Sequence, residues 1–297
     1  MSENELRCTH TGCGAVFPIV DGVPVLINEQ ASVFSIADFV DQRDTYFDLS
    51  PESRGKSALR RMMPTISGNT KGRQNYERFA RLLKSESARP TVLVLGGSIL
   101  GQGMEALASD VSIELVETDI SFGPHTKLIC DAHDIPFGDD SFDGVIVQAV
   151  LEHVVDPYRC VDEIHRVLRK EGLVYAETPF MQQVHGGRYD FARFTHLGHR
   201  RLFRKFTEVE SGAVCGPGMA LAWSYQYFLL SFVQTEALRK LIRVFTAVTA
   251  FYLKYFDTYL VDKPGALDAA SGYYFLGRKS EALLPDRQLV QLYRGAM

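Results

Sequence analysis

From residue 91 the chain alternates short unbroken apolar runs with glycine-rich turns and amphipathic stretches. The runs are 92–95, 113–116, 127–130, 142–147 and 172–176. Runs this short, with no polar alternation, predict strands covered on both faces, which is the pattern of a mostly parallel, doubly wound α/β sheet. Helices are predicted between them. Residues 156–168 put Val161, Ile164 and Leu168 on one face, and 104–108 follows the first run. Upstream, Tyr76, Phe79 and Leu83 share helical spacing, and Ala88-Arg89-Pro90 ends that stretch. Residues 206–213 and 272–277 read as a closing antiparallel pair, which brings the expected sheet to seven strands.

Two regions break this rhythm. Residues 1–30 hold short apolar runs interrupted at Asp21-Gly22 and Pro24, and Asp-Gly between such runs is a hairpin signal. A small N-terminal β element is expected there, followed by a helical or loop connector over 31–90. Residues 217–268 read as a helical insertion before the last strand, with aromatic-rich stretches at 219–233 and 238–260. They predict a helical lid over the site. A surface lying on a membrane or receiving a lipid-linked acceptor through 219–261 is the sharper alternative.

Ligands of such sheets sit outside the carboxyl ends of the strands. There the first run is followed by Gly96, Gly97 and Ser98, with Gly101 and Gly103 beyond. Glycines at a strand-to-helix turn let a ligand approach the backbone closely. The second strand ends Glu117-Thr118-Asp119, about 20 residues on, where either carboxylate can accept hydrogen bonds from ribose hydroxyls. The third ends Cys130-Asp131-Ala132. Carboxylates at two successive strand ends beside a glycine-rich turn favour a nucleoside site.

The block from Asp131 through Asp143, Leu151-Glu152-His153-Val154 and Glu163 to Gly172 resembles the class I S-adenosylmethionine-dependent methyltransferases, in particular their small-molecule branch. The likeness covers roughly residues 75–212. It implies a Rossmann-like methyltransferase domain over 91–297, S-adenosylmethionine as cofactor, and methyl transfer as the activity. It further implies that Gly96 and Gly97 pass beneath the methionine part and that Asp119 holds the ribose. Asp131 and Ala132 meet the adenine, and Gln148 lies near the sulfonium. The chain departs from the family at its first motif, with Val94 where an acidic residue is usual and Ser98 as the third glycine.

After the fifth strand, His185, Asp190, Arg193 and Thr195 resemble a subset of the family associated with glycan, lipid-linked sugar or natural-product assembly. The acceptor expected is therefore a small molecule or a glycan or lipid-linked compound, methylated on oxygen. His185 is the candidate base for a hydroxyl, His153 its competitor, and Asp190 the third candidate on the catalytic side. Cys8 and Cys13 resemble the second half of a zinc-ribbon-like module. A closed zinc site needs four ligands and only His10 is near, so a metal-free remnant is expected.

Composition trims the alternatives. The chain has 297 residues, 46% hydrophobic, and 32 Lys and Arg against 36 Asp and Glu leave a net charge of −4. That argues against a general nucleic-acid partner, although residues 181–205 carry six basic side chains against one acidic. An RNA methyltransferase and a non-catalytic partner of the same fold are the rival readings. Five scattered cysteines fit a reducing compartment. With no signal pattern and no long apolar run, a cytoplasmic location is expected, with peripheral contact at the inner membrane face as an extension.

Overall fold

The computed structural model describes residues 4–41 and 63–296; residues 42–62 of the connector lie outside the described residues. Its strands are β1 (Glu5–Arg7), β2 (Val16–Val20), β3 (Val23–Leu26), β4 (Thr91–Leu95), β5 (Glu114–Asp119), β6 (Leu128–Cys130), β7 (Phe142–Gln148), β8 (Leu168–Pro179), β9 (Phe206–Cys215) and β10 (Gly272–Lys279). The α-helices described are α1 (Ile36–Val40), α2 (Gly72–Glu86), α3 (Glu105–Ala108), α4 (Pro157–Val167), α5 (His196–Leu202), α6 (Pro217–Leu230), α7 (Glu236–Ala250), α8 (Asp257–Leu260), α9 (Pro264–Ala269) and α10 (Asp286–Leu289).

The strands form one sheet in the order β1-β2-β3-β6-β5-β4-β7-β8-β10-β9. From β3 to β8 neighbours run parallel, while β10 pairs antiparallel with both β8 and β9. The apolar runs explain this layering. Along β4, Leu93 and Leu95 pack to one side with Val161 and Ile164 of α4 and with Phe203, whereas Val92 and Val94 pack to the other with Tyr76, Phe79 and Leu83 of α2. Successive strand residues face opposite ways, so both faces must be covered.

The doubly wound sheet is there, with ten strands where seven were expected. The difference is the N-terminal β element, whose strands β1 to β3 extend the sheet instead of standing apart. Asp21 (φ 50°) and Gly22 (φ 81°) both take the left-handed backbone that a two-residue hairpin turn requires. The hairpin brings β3 alongside β6, with Val25 opposite Ile129. β6 has only three residues and would otherwise present a bare edge. Val25, Ile27, Phe39 and Ile129 form a buried cluster at that junction.

Helices α6 to α9 stand between β9 and β10. Buried Asp257 closes the start of α6, accepting from the amides of Gly218 (2.7 Å) and Met219 (2.9 Å). The inner face joins the body of the molecule through Met219. The outer face exposes Phe228, Phe232, Leu241 and Phe245. Among the described residues, no helix is long and apolar enough to cross a membrane.

Candidate active site

A cavity of about 450 Å³ opens where the parallel strands end, within the size range of small-molecule sites. The chain turns sharply after β4 at Gly96 (φ 73°), where a side chain would lie 2.4 Å from Val150. Ala149, on the cavity wall directly after β7, is held at φ 54° despite its Cβ. Left-handed backbone at such a residue is uncommon, and it concentrates at functional sites.

Asp119, at the end of β5, lies on the wall, and its carboxylate accepts from the amides of Ser98 and Ser121, each at 2.9 Å. Burial raises its pKa, and the Ser98 amide works against that rise. Glu117, the other carboxylate of this strand end, is not on the wall and pairs with Lys127 at 2.6 Å. Asp131 and Ala132 follow β6 on the wall. Asp131 accepts from the Ser32 hydroxyl (2.5 Å) and from both the amide and the Nδ1 of His133 (2.9 and 2.6 Å). Burial pushes its pKa up, but the hydrogen bonds from His133 and Ser32 outweigh it and the carboxyl stays below its usual range. Ser32 draws the segment after the hairpin over the cavity, so Val33 and Phe34 become part of its lining.

Gln148, at the end of β7, is locked. Its Oε1 accepts from the Tyr76 hydroxyl (2.9 Å) and its Nε2 donates to Glu177 (2.7 Å). A Cβ on Gly101 would fall 1.5 Å from that Oε1, so the glycine makes room for it. Glu177, near the end of β8, is buried and also accepts from Asn69 (2.8 Å) and from the Tyr175 hydroxyl. Burial raises its pKa in spite of these donors. The sequence pattern does not point to Glu177 or Asn69, and it marks Tyr76 only for its helical spacing. Gly97 was singled out, but it is absent from the wall: its amide donates to the Thr118 carbonyl at 2.9 Å and it packs on Glu117 and Val94. Asp119, Asp131 and Glu177 carry the wall's charge, and among the described residues no lysine or arginine lines it.

Beyond β7 lies a second group. His153 is on the cavity wall, and burial lowers its pKa to about 4. His185 is outside the lining, with its ring edge-on to that of His153 at 5.0 Å between centroids. Burial raises Glu152, next to His153, to about 8, with Arg193 pulling it back. Asp190 is also off the wall. It accepts from the amides of His185 (2.8 Å) and Gly186 (3.1 Å) and pairs with Arg193, tying the loop after β8 into a fixed turn. The insertion seats this loop. Trp223 lies edge-on to His185 at 5.9 Å, and the Tyr227 hydroxyl donates to the Val184 carbonyl at 2.8 Å.

At the other end of the chain, Cys8 and Cys13 are exposed free thiols. Among the described residues they do not gather a third potential metal ligand, and Glu152, His153 and His185 are the group of three that does come together.

Residues 97–176 match the family model described as a methyltransferase domain. A demethylmenaquinone methyltransferase of Clavibacter sepedonicus is 37% identical over 76 residues, and the match covers 26% of either chain. The chain thus aligns with about a quarter of that relative's length. Among solved structures, phosphoethanolamine N-methyltransferase 2 of Haemonchus contortus, in complex with S-adenosyl-L-methionine, is similar over 79% of this chain and 62% of its own. That likeness has 14% identity and a TM-score of 0.43. The N-methyltransferase NodS of Bradyrhizobium japonicum WM9 is similar over 70% of this chain and 96% of its own, with 15% identity and a TM-score of 0.40.

Proposed function

We propose that this chain, which carries a methyltransferase domain whose cofactor is S-adenosylmethionine, methylates an oxygen of a small or glycan-like acceptor. The cavity carries the reading: its charged lining is acidic and desolvated. Such a wall attracts a cation and repels phosphate groups, because Coulomb interactions strengthen as water is excluded. S-adenosylmethionine, when bound, supplies a methyl group on a positively charged sulphur. The residues fit it. The Gly96 turn would lie beside the methionine part, Asp119 would accept from the ribose, and Ala132 with Val33 would offer an apolar slot for the adenine. Gln148, held rigid by Tyr76 and Glu177, flanks the reacting end.

On the acceptor side the chain has to orient a hydroxyl in line and take its proton. His153 is on the wall and unprotonated at neutral pH. His185 stands beside it in a loop fixed by Asp190 and Arg193. Radiolabelled S-adenosylmethionine and fractionated small-molecule extract test this directly. Label is expected in an alkali-stable ether, and it should disappear with His153→Ala. Label on nitrogen or carbon would overturn the choice of oxygen.

A lipid-linked acceptor is the second reading. Exposed Leu241 and Phe245 lie on α7 with Arg239, Lys240 and Arg243, and exposed Phe228 and Phe232 stand at the end of α6 and in the turn before α7, a combination suited to an anionic bilayer surface. Flotation with phosphatidylglycerol vesicles should carry the chain upward, and a chain left at the bottom of the gradient would remove this reading.

A further inference from the structure

We propose that Glu152, His153 and His185 form a binding site for one divalent transition cation of the zinc class. The Glu152 side chain is 1% exposed, and neither carboxylate oxygen has a hydrogen-bond partner among the described residues. A carboxylate buried without donors is costly, and native interiors rarely leave one so. Two imidazoles point at it. His153 Nε2 lies 3.7 Å and His185 Nε2 4.0 Å from Glu152 Oε1, and the three ligand atoms fall within 4.8 Å of one another.

The far side of each ring fixes what faces the carboxylate. His153 Nδ1 is 2.8 Å from the Tyr189 carbonyl, and His185 Nδ1 is 3.1 Å from the Gln183 carbonyl. A carbonyl only accepts, so the proton of a neutral His153 ring sits on Nδ1 and its Nε2 presents a lone pair; His185 Nδ1 has the closer Gln183 carbonyl at 3.1 Å and the Arg193 guanidinium at 3.5 Å, and the same tautomer follows from the shorter contact. Once the ion displaces the proton of Glu152 to solvent, three lone-pair donors converge on one point, which the cation satisfies. A ring N–H anchored on a carbonyl is also the usual support of a metal-ligating histidine.

The group is held in place before any ion arrives. Asp190 grips the amides of His185 and Gly186, Arg193 grips Asp190 and the Gln182 and Gln183 carbonyls, and Trp223 packs on the His185 ring. Zinc bonds of about 2.0–2.2 Å put tetrahedral ligands about 3.4 Å apart. The present spacing, 3.7 and 4.0 Å to the carboxylate and at most 4.8 Å overall, therefore has to close by about 0.3–1.4 Å, a movement that side-chain rotation of the exposed His185 supplies while its backbone stays tied. Two imidazoles and one carboxylate suit zinc better than calcium or magnesium and leave coordination open. Of the three, His153 lines the cavity, and an ion held there would polarise an acceptor oxygen in place of the proton transfer to His153, both of whose nitrogens are then engaged. That use rests on the methyl-transfer reading; metal binding itself does not.

The test is titration of the metal-free full chain with zinc chloride against a chromophoric chelator, repeated with cobalt for its visible spectrum. It is run in a Cys8→Ser, Cys13→Ser background, so that the exposed thiols take no part. One equivalent is expected at micromolar zinc, with cobalt bands free of thiolate charge transfer. His185→Ala, in an exposed loop, and the near-isosteric Glu152→Gln should each weaken uptake about 100-fold or more. No uptake in the thiol-free background, or uptake unchanged by both variants, would overturn the site. S-adenosylmethionine affinity measured on the same samples keeps the two ideas apart, since zinc can bind where the cofactor does not.

Discussion

Asp119 both faces the cavity and ties the glycine turn to the end of β5 through the Ser98 amide. Asp119→Ala should weaken S-adenosylmethionine binding by about 1.5–3 kcal/mol, the range for hydrogen bonds to a charged group. Calorimetry reads it, and unchanged affinity would move the ribose contact elsewhere on the wall. A second residue-scale effect comes from His199, buried between Phe194 and Phe203 on α5, with His196 and Arg200 beside it. Burial takes its pKa down to about 3, and that of His196 down to about 4. The unfolded chain protonates such groups near pH 6.5 while the native state refuses the proton. Their stabilising share is therefore full above pH 6.5 and falls as pH drops from there toward 4. His199→Phe should flatten that fall in urea midpoints, whereas an unchanged slope would assign acid sensitivity to other groups. Strand-end residues such as Asp119, Asp131 and Gln148 were legible because an unbroken apolar run announces where its strand stops. Glu177 follows its run just as closely, and only the packing of Tyr175, Asn69 and Gln148 around it shows that its carboxylate anchors the wall. Asn69 and Tyr76 reach the same pocket from outside the sheet, over about 100 and 70 residues of sequence that local pattern cannot bridge.

At the scale of elements, the loop after β8 takes its shape from two sources. One is internal, the Asp190–Arg193 pair; the other is α6, through Trp223, Ser224 and Tyr227. Trp223→Ala should speed hydrogen exchange in residues 182–190 several-fold while leaving β4 and β7 protected. Exchange that stays slow would show that the Asp190 knot alone holds the loop. The parallel strands and the Asp21-Gly22 hairpin follow from local pattern. The joining of β3 to β6 does not, since parallel pairing between segments about 100 residues apart leaves no local signature. The same holds for the inner face of α6. Its apolar character is visible all round, but which side meets Ile66 and Ala250 is settled only by packing.

At the scale of the molecule, a net charge of −4 says little about the ligand, whereas the distribution of charge says much. Acidic groups line the cavity and Arg193 is held in the neighbouring loop. A cationic cofactor therefore binds with the field of its site, and nucleotides bearing several phosphates bind against it. A ligand bound only by the native state stabilises it by about 2.7 kcal/mol at roughly 100 times its Kd. S-adenosylmethionine should accordingly raise the midpoint of thermal unfolding, and Asp119→Ala should blunt that rise at equal concentration. The most direct measurement is a calorimetric titration of the intact chain with S-adenosylmethionine, ATP and NADH in parallel. One equivalent of S-adenosylmethionine should bind, with little or no heat from the two phosphate-bearing nucleotides. Absence of S-adenosylmethionine binding, or equal affinity for ATP or NADH, would contradict the account.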